Sequence, residues 1–356
     1  MPYYLTLFLL TLMLGSAHGQ TKNQSSAKFQ SALPGYTYQF PRDDFSHDAF
    51  RIEWWYYTGN LQSENGRRFG YQLTFFRVGL EGDKPIDNPS KWKVDHIYFA
   101  HMTVSDIENK KFYFFERINR KGIQNAGADS DSFLIWNSDW KLTANENTQI
   151  LKAQENETGI ELSLTPLKKR VFHGENGISK KGSGKGNASH YFSFTRMKTE
   201  GSVFIKGEKF QVTGSSWMDR EFSSNQLNPS LVGWDWFSLK LDNQTEIMLY
   251  QLRQKDGSID THSSGTLIGA DQNYHHLTLK DFSISQKSSW TSDNTGATYP
   301  ATWDVHLPDS DTRLQVTPDF SDQELYNLRS ISGSYWEGSV TIKGTVAGNP
   351  VTGQGY

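Results

Sequence analysis

The chain predicts an all-β protein of antiparallel meanders closed into sandwiches or barrels, on three observations. Aromatic residues make up 14% of the 356 residues against 21% charged, a balance that suits pleated, half-buried surfaces. Short apolar runs recur between Gly, Asn and Asp turns at hairpin spacing, as in SENGR, IENKK and RQKDGS. Helical periodicity is scarce. One short candidate, SDQELYNL at 321–328, has Ser321 as a cap and Glu324 to complete a capping box.

The strand-like runs follow one another along the whole chain: RFGYQLTFFRVGL, HIYFAHMTVSD, KKFYFFERI, GIELSLTP, HYFSFTRM, SVFIKGEKF, TEIMLYQLR, ATWDVHLP and GSVTIKGTV. Ahead of them stands MPYYLTLFLLTLMLGSAHGQ, an apolar run from Tyr3 to Leu14 followed by small residues. It reads as a secretory signal peptide, residues 1–19, too short to span a bilayer as a mature helix. Its start carries no Lys or Arg, but the polar QTKNQSSAKFQS that follows argues against a buried N-terminal helix. The chain has no Cys, so an exported protein here has neither disulfides nor a lipidated cysteine and depends on core burial. That fits a periplasmic or secreted location without a transmembrane anchor. A net charge of -3 offers no basic footprint for nucleic acid.

A weak internal repeat divides the chain. WWYYTGNL at 54–61 aligns with WDWFSLKL at 234–241, matching Trp54 to Trp234 and Tyr56 to Trp236. Each is followed by a turn and a second strand ending in Arg. The repeat predicts two similar β-domains. The expected division is an extension at 20–45, one domain at 46–225 and a second at 226–356.

Three stretches carry candidate chemistry. In EWWYY, Glu53, Trp55 and Tyr57 share one face of a strand and Trp54 and Tyr56 the other. Rings on both sides predict a strand covered twice, with Trp54 and Tyr56 as packing residues. Glu53 either pairs with an arginine (Arg51, Arg77 or Arg220) or serves a site. In GSSWMDREFSSNQ, residues 214–226, Trp217, Asp219 and Glu221 alternate onto one face, at a domain junction where clefts form. Asp219 is either a proton donor or one end of an ion pair with Arg220. In NASHYFSFTRM, His190 is either a core histidine or a catalytic neighbour. No metal site is expected, since His96/His101 and His275/His276 lack same-face ligand spacing. GSGKGN at 182–187 lacks phosphate-loop spacing and reads as a loop.

Taken together, HDAFRIEWWYYTGNL, YFAHMTVSD, GNASHYFSFTR, GSSWMDREFSSNQL, GWDWFSLKLDN and YWEGSV resemble, in order and spacing, the AttH / carotenoid 1,2-hydratase (CrtC-like) family. The resemblance implies two lipocalin-like antiparallel β-barrel domains packed together, bacterial export and an apolar ligand site. It also implies a few residues beyond Gly353–Tyr356. Hydratases of this family use an Asp to protonate a terminal isoprenoid double bond, with active residues in a His-x-Trp and a Tyr-x-Asp pair. By order and spacing these become His190 with Phe192, and Trp217 with Asp219. The acid and the histidine match; both aromatic partners differ, and with them an indole and a phenol hydrogen bond are lost.

The site expected from the sequence is therefore Asp219, His190 and Trp217 as catalytic residues. Phe192, Glu53, Trp55, Tyr57, Trp234 and Trp236 are expected to hold the substrate, with no cofactor and with Asp219 the only carboxylate able to donate a proton. Three functions follow from the resemblance: a hydratase-like enzyme on an apolar isoprenoid or lipid-like substrate, a carrier of an apolar ligand working with an ABC-type transporter, or a shape-selective cyclase. A secreted hydrolase has no visible mechanism, since no nucleophile elbow is present.

Overall fold

The computed structural model describes residues 29–80, 94–121, 125–225, 231–331 and 333–356. The expected signal peptide lies outside the described residues. A meander of four long strands comes first: β1 (Ile52–Ser63), β2 (Arg68–Gly79), β3 (His96–Asp106) and β4 (Lys111–Arg120). Shorter strands follow as β5 (Ala126–Ala128), β6 (Leu134–Asn137), β7 (Trp140–Asn145), β8 (Thr148–Glu155) and β9 (Thr158–Pro166). Next come β10 (Val171–Phe172), β11 (Ile178–Lys180), β12 (Ala188–Ile205) and β13 (Glu208–Ser223). These strands form one antiparallel sheet in the order β4-β3-β2-β1-β13-β12-β9-β8-β7-β6-β5, with β10 and β11 added beside β12. It curls into a near-barrel.

Past Ser223 the chain enters a second sheet. Its strands begin with β14 (Leu231–Leu241), β15 (Glu246–Gln254), β16 (Ser264–Ile268) and β17 (Tyr274–Thr278). β18 (Ser283–Thr291), β19 (Thr298–Leu307) and β20 (Thr312–Pro318) continue it. A two-stranded ribbon, β21 (Glu324–Leu325) with β22 (Tyr335–Trp336), precedes the closing hairpin of β23 (Val340–Val346) and β24 (Asn349–Gly355). The nine strands run β17-β16-β15-β14-β24-β23-β20-β19-β18, a half-barrel. Two lipocalin-like β-domains thus pack together, and no α-helix occurs among the described residues.

Each sheet closes on its own core. Trp55, Tyr57, Leu73, Phe75 and Met102 belong to the first, Phe237, Leu239, Ile247, Trp303 and Ile342 to the second. A separate cluster, with Tyr191, Trp217, Met248, Tyr250 and Leu252, fills the junction. There Asn60 donates to the Ser339 hydroxyl and to the Gly355 carbonyl, and Lys240 donates to the Ser215 carbonyl. Gly70 lets the domains approach: a Cβ at that position would stand 2.6 Å from the Tyr356 hydroxyl.

The helix expected at 321–328 does not form. Glu324 is buried and its carboxylate accepts from Thr295 and Tyr299, each at 2.7 Å. Gln323 accepts from Ser105 across the junction and donates to the Phe320 carbonyl. These tertiary bonds outweigh a local capping box and hold the segment extended. The extension before residue 46 is likewise well seated. Its Tyr36 and Tyr38 rings pack on His190, and its buried Asp43 accepts from Tyr36 and contacts His47.

Candidate functional site

The decisive geometry is set by parity along three paired strands. β1 lies between β2 and β13, and β12 lies on the far side of β13. Tyr56 opposes Asp219, which opposes Ser193; Trp54 opposes Glu221, which opposes Tyr191. Cross-strand partners share a face, so these side chains all turn away from the barrel core toward the second domain. The next register position does the opposite. Trp55, Arg220 and Phe192 oppose one another on the core side, as do Glu53, Phe222 and His190.

A cavity of about 160 Å³ occupies the junction. Trp54, Tyr56, Phe76 and Phe99 wall it from the first domain, Trp234, Trp236, Tyr250 and Leu252 from the second. Tyr335, Glu337 and Ile331 close it from the segment that crosses between them. The aligned repeats meet here: Trp54 and Tyr56 face their counterparts Trp234 and Trp236, and the Tyr56 and Trp236 rings stand edge-on at 5.2 Å.

Asp219 supplies the acid. Ser193 donates to Oδ1, Trp217 Nε1 donates to Oδ1 at 2.6 Å, and Tyr191 donates to Oδ2 at 3.0 Å. Tyr191 in turn accepts from Trp236 Nε1 at 3.2 Å. Burial outweighs these three donors and pushes the Asp219 carboxyl up to about 7. Among the described residues no basic side chain bonds to it.

Behind Ser193 lies His173, with Nε2 2.7 Å from the Ser193 hydroxyl and Nδ1 2.8 Å from Thr266. Since Ser193 spends its proton on Asp219, His173 donates from Nε2 and accepts at Nδ1. Burial lowers His173 to about 3, so the ring is neutral.

Further polar groups line the cavity. Glu337 accepts from Tyr56 at 2.6 Å, and burial, reinforced by the Asp219 charge, pushes its carboxyl up to about 7. Glu221 is paired with Lys181, whose ammonium stands 5.6 Å from the Tyr191 ring and 5.8 Å from those of Trp54 and Tyr250. On the opposite wall His101 bonds to Tyr335 and Ser330.

A model of the AttH-like family matches residues 31–356. The chain belongs to the AttH-like family. An AttH protein of Nitrosomonas europaea shares its structure with a TM-score of 0.82 and 34% identity, over 92% of this chain and 98% of that one. Kievitone hydratase from Nectria haematococca shares the fold with a TM-score of 0.68 at 17% identity, over 93% and 94% of the two chains. No curated protein matches the sequence.

Of the site residues expected for this AttH-like protein, Asp219, Trp217, Trp234 and Trp236 come together at the junction. Five others do not reach the cavity. Glu53 is sealed in the first domain, bound by Arg77 and Arg220 and by the His47 backbone amide at 3.0 Å. Burial raises a carboxyl, but the two guanidiniums prevail and hold Glu53 well below the usual range. Trp55 lies under Arg220, 4.0 Å from its ring centre, and Tyr57 bonds to Gln149 in the barrel core. His190 and Phe192 pack against Tyr38 of the N-terminal extension.

Trp54 and Tyr56, expected as packing residues, pack against Phe76 and Trp236 and also line the cavity. Asp219 is also not its only protonatable carboxyl, because Glu337 lines the same space. Glu337 stands in YWEGSV, directly after two rings, as Glu53 stands directly before the rings of EWWYY; a carboxylate set against adjacent rings is the signal that could have found it. Among the described residues no group of three His, Asp or Glu is placed to hold a metal, and no helix is long and apolar enough to cross a membrane.

Proposed function

We propose that this AttH-like protein is an exported, hydratase-like enzyme that acts on an apolar isoprenoid or lipid-like substrate by acid-assisted chemistry at Asp219. One observation carries the reading: a carboxyl with no cationic partner among the described residues, buried in an aromatic cavity and pushed up to about 7. Protonating an alkene requires a carboxylic acid still neutral at working pH. The Asp219 proton passes to the terminal alkene carbon, whose π electrons form the new C–H bond. The tertiary cation left on the adjacent carbon lies among the Trp54, Tyr56 and Trp236 rings, whose π faces stabilise it. Water then bonds to that carbon and gives up a proton.

The cavity's size bounds the substrate. At about 160 Å³ it compares with a cavity of roughly 150 Å³ that holds benzene, so it admits one isoprene-sized end. A carrier of an apolar ligand working with an ABC-type transporter would also use an apolar cavity. It gains nothing from a buried acid that costs stability at neutral pH, and the enzyme reading does.

Native mass spectrometry of the protein with its co-purified ligand, followed by turnover of that ligand in ¹⁸O-labelled water, tests the proposal. The enzyme reading expects label in the product, lost in Asp219→Asn while ligand binding persists. Binding without turnover in the wild type supports the carrier instead.

A further inference from the structure

We propose that Glu337 is the second acid–base group of this site, taking the proton of the water that captures the cation and sharing one proton with Asp219. The inference rests on the reading of Asp219 as the acid.

The two carboxyls reach one cavity from separate parts of the chain. Asp219 projects from β13, and Glu337 from the segment between β22 and β23. Tyr56 connects them, since it is the cross-strand partner of Asp219 and donates its hydroxyl to Glu337 Oε1. That bond is the carboxyl's one hydrogen bond among the described residues, which leaves Oε2 free to accept from water. Asp219 differs in being held by three donors, an arrangement that fixes its orientation toward a bound substrate.

Glu337 also stands at a boundary. A second cavity, of about 100 Å³, adjoins the first across Trp234, Trp236, Tyr335 and Glu337. Its walls include Asp235, Ser334 and Tyr299, polar groups of the kind that hold water. An apolar substrate end in the first cavity and water in the second would therefore meet at Glu337.

The proton balance closes. Asp219 loses a proton to carbon and becomes a carboxylate; Glu337, as carboxylate, accepts one from the attacking water. Transfer from Glu337 back to Asp219 restores the starting state. Two carboxyls that line one apolar cavity, with the charge of Asp219 raising Glu337, do not ionise independently, so the pair holds one proton across the neutral range.

The test is ¹³C NMR titration of both carboxyls in the wild type, Asp219→Asn and Glu337→Gln, beside turnover of the co-purified ligand. Removing either carboxyl should lower the other's midpoint by about one unit, and Glu337→Gln should lower kcat by about 100-fold or more with KM unchanged. Midpoints that stay at their wild-type positions, or full turnover in Glu337→Gln, would overturn the proposal. If Glu337→Gln does not fold, Tyr56→Phe replaces it. Loss of that donor should raise the Glu337 midpoint and lower that of Asp219, and an unmoved Asp219 counts against the pair. Turnover retained in Asp219→Asn defeats the acid reading separately, whatever the midpoints do.

Discussion

Tyr56 and Asp219 face each other across the β1–β13 ladder, on the side of the sheet turned away from the barrel core. Their partners along the same strands, Trp55 and Arg220, also oppose each other but lie inside, with the guanidinium over the indole. One residue of register thus separates a sealed structural clasp from a cavity wall. The arginine nearest Asp219 in sequence is spent on Glu53, and the Asp219 carboxyl is left to the raising effect of burial.

Stability should fall as pH rises through the neutral range. Asp219 and Glu337 have folded-state values of about 7, above their ordinary values, so the folded chain binds more protons than the unfolded one in between. The sign of the linkage makes stability decrease from about pH 4 toward pH 7. Asp219→Asn should therefore stabilise the protein at pH 8, on the order of 4 kcal/mol, with little effect at pH 4. Urea denaturation at the two pH values checks this.

Glu53→Gln should be strongly destabilising, by about 3–5 kcal/mol, because it leaves two buried guanidiniums without their countercharge. Glu53 has a lowered folded-state value, so its contribution is complete above about pH 4.5 and is lost as pH falls through the folded value. The acid limb of a denaturation-midpoint profile should flatten in the variant.

Strands and turns were legible because Gly, Asn and Asp punctuation and aromatic runs are local signals. Which face was which was not. In EWWYY both parities hold large rings, so alternation separates Glu53, Trp55 and Tyr57 from Trp54 and Tyr56 without saying which set is inside. His173 and Glu337 were missed because only long-range pairing brings them to Asp219, and His190 was favoured by its spacing although β12 points it away.

The two histidines should behave differently. His190→Phe exchanges one ring for another on the core side, against Tyr36, Phe50 and Phe222, and should leave ligand affinity and the Asp219 titration unchanged. Ser193→Ala removes both a donor to Asp219 and the link to His173. That donor favours the carboxylate, so its loss should raise the Asp219 midpoint, as ¹³C NMR would show.

Trp236→Ala should enlarge the cavity and remove the donor to Tyr191. Ligand affinity should weaken by about 10-fold or more, in keeping with losing about 1.4 kcal/mol of aromatic contact. Quenching of the remaining cavity tryptophans, Trp54 and Trp234, during ligand titration measures it.

The central claim is that Asp219 carries its proton at neutral pH inside the junction cavity, and site-resolved ¹³C NMR titration of the Asp219 carboxyl in the intact protein tests it most directly. A midpoint near 7, as burial imposes here, is the predicted result. A midpoint at or below the ordinary value of about 3.9 would mean a carboxylate under working conditions and would contradict the account.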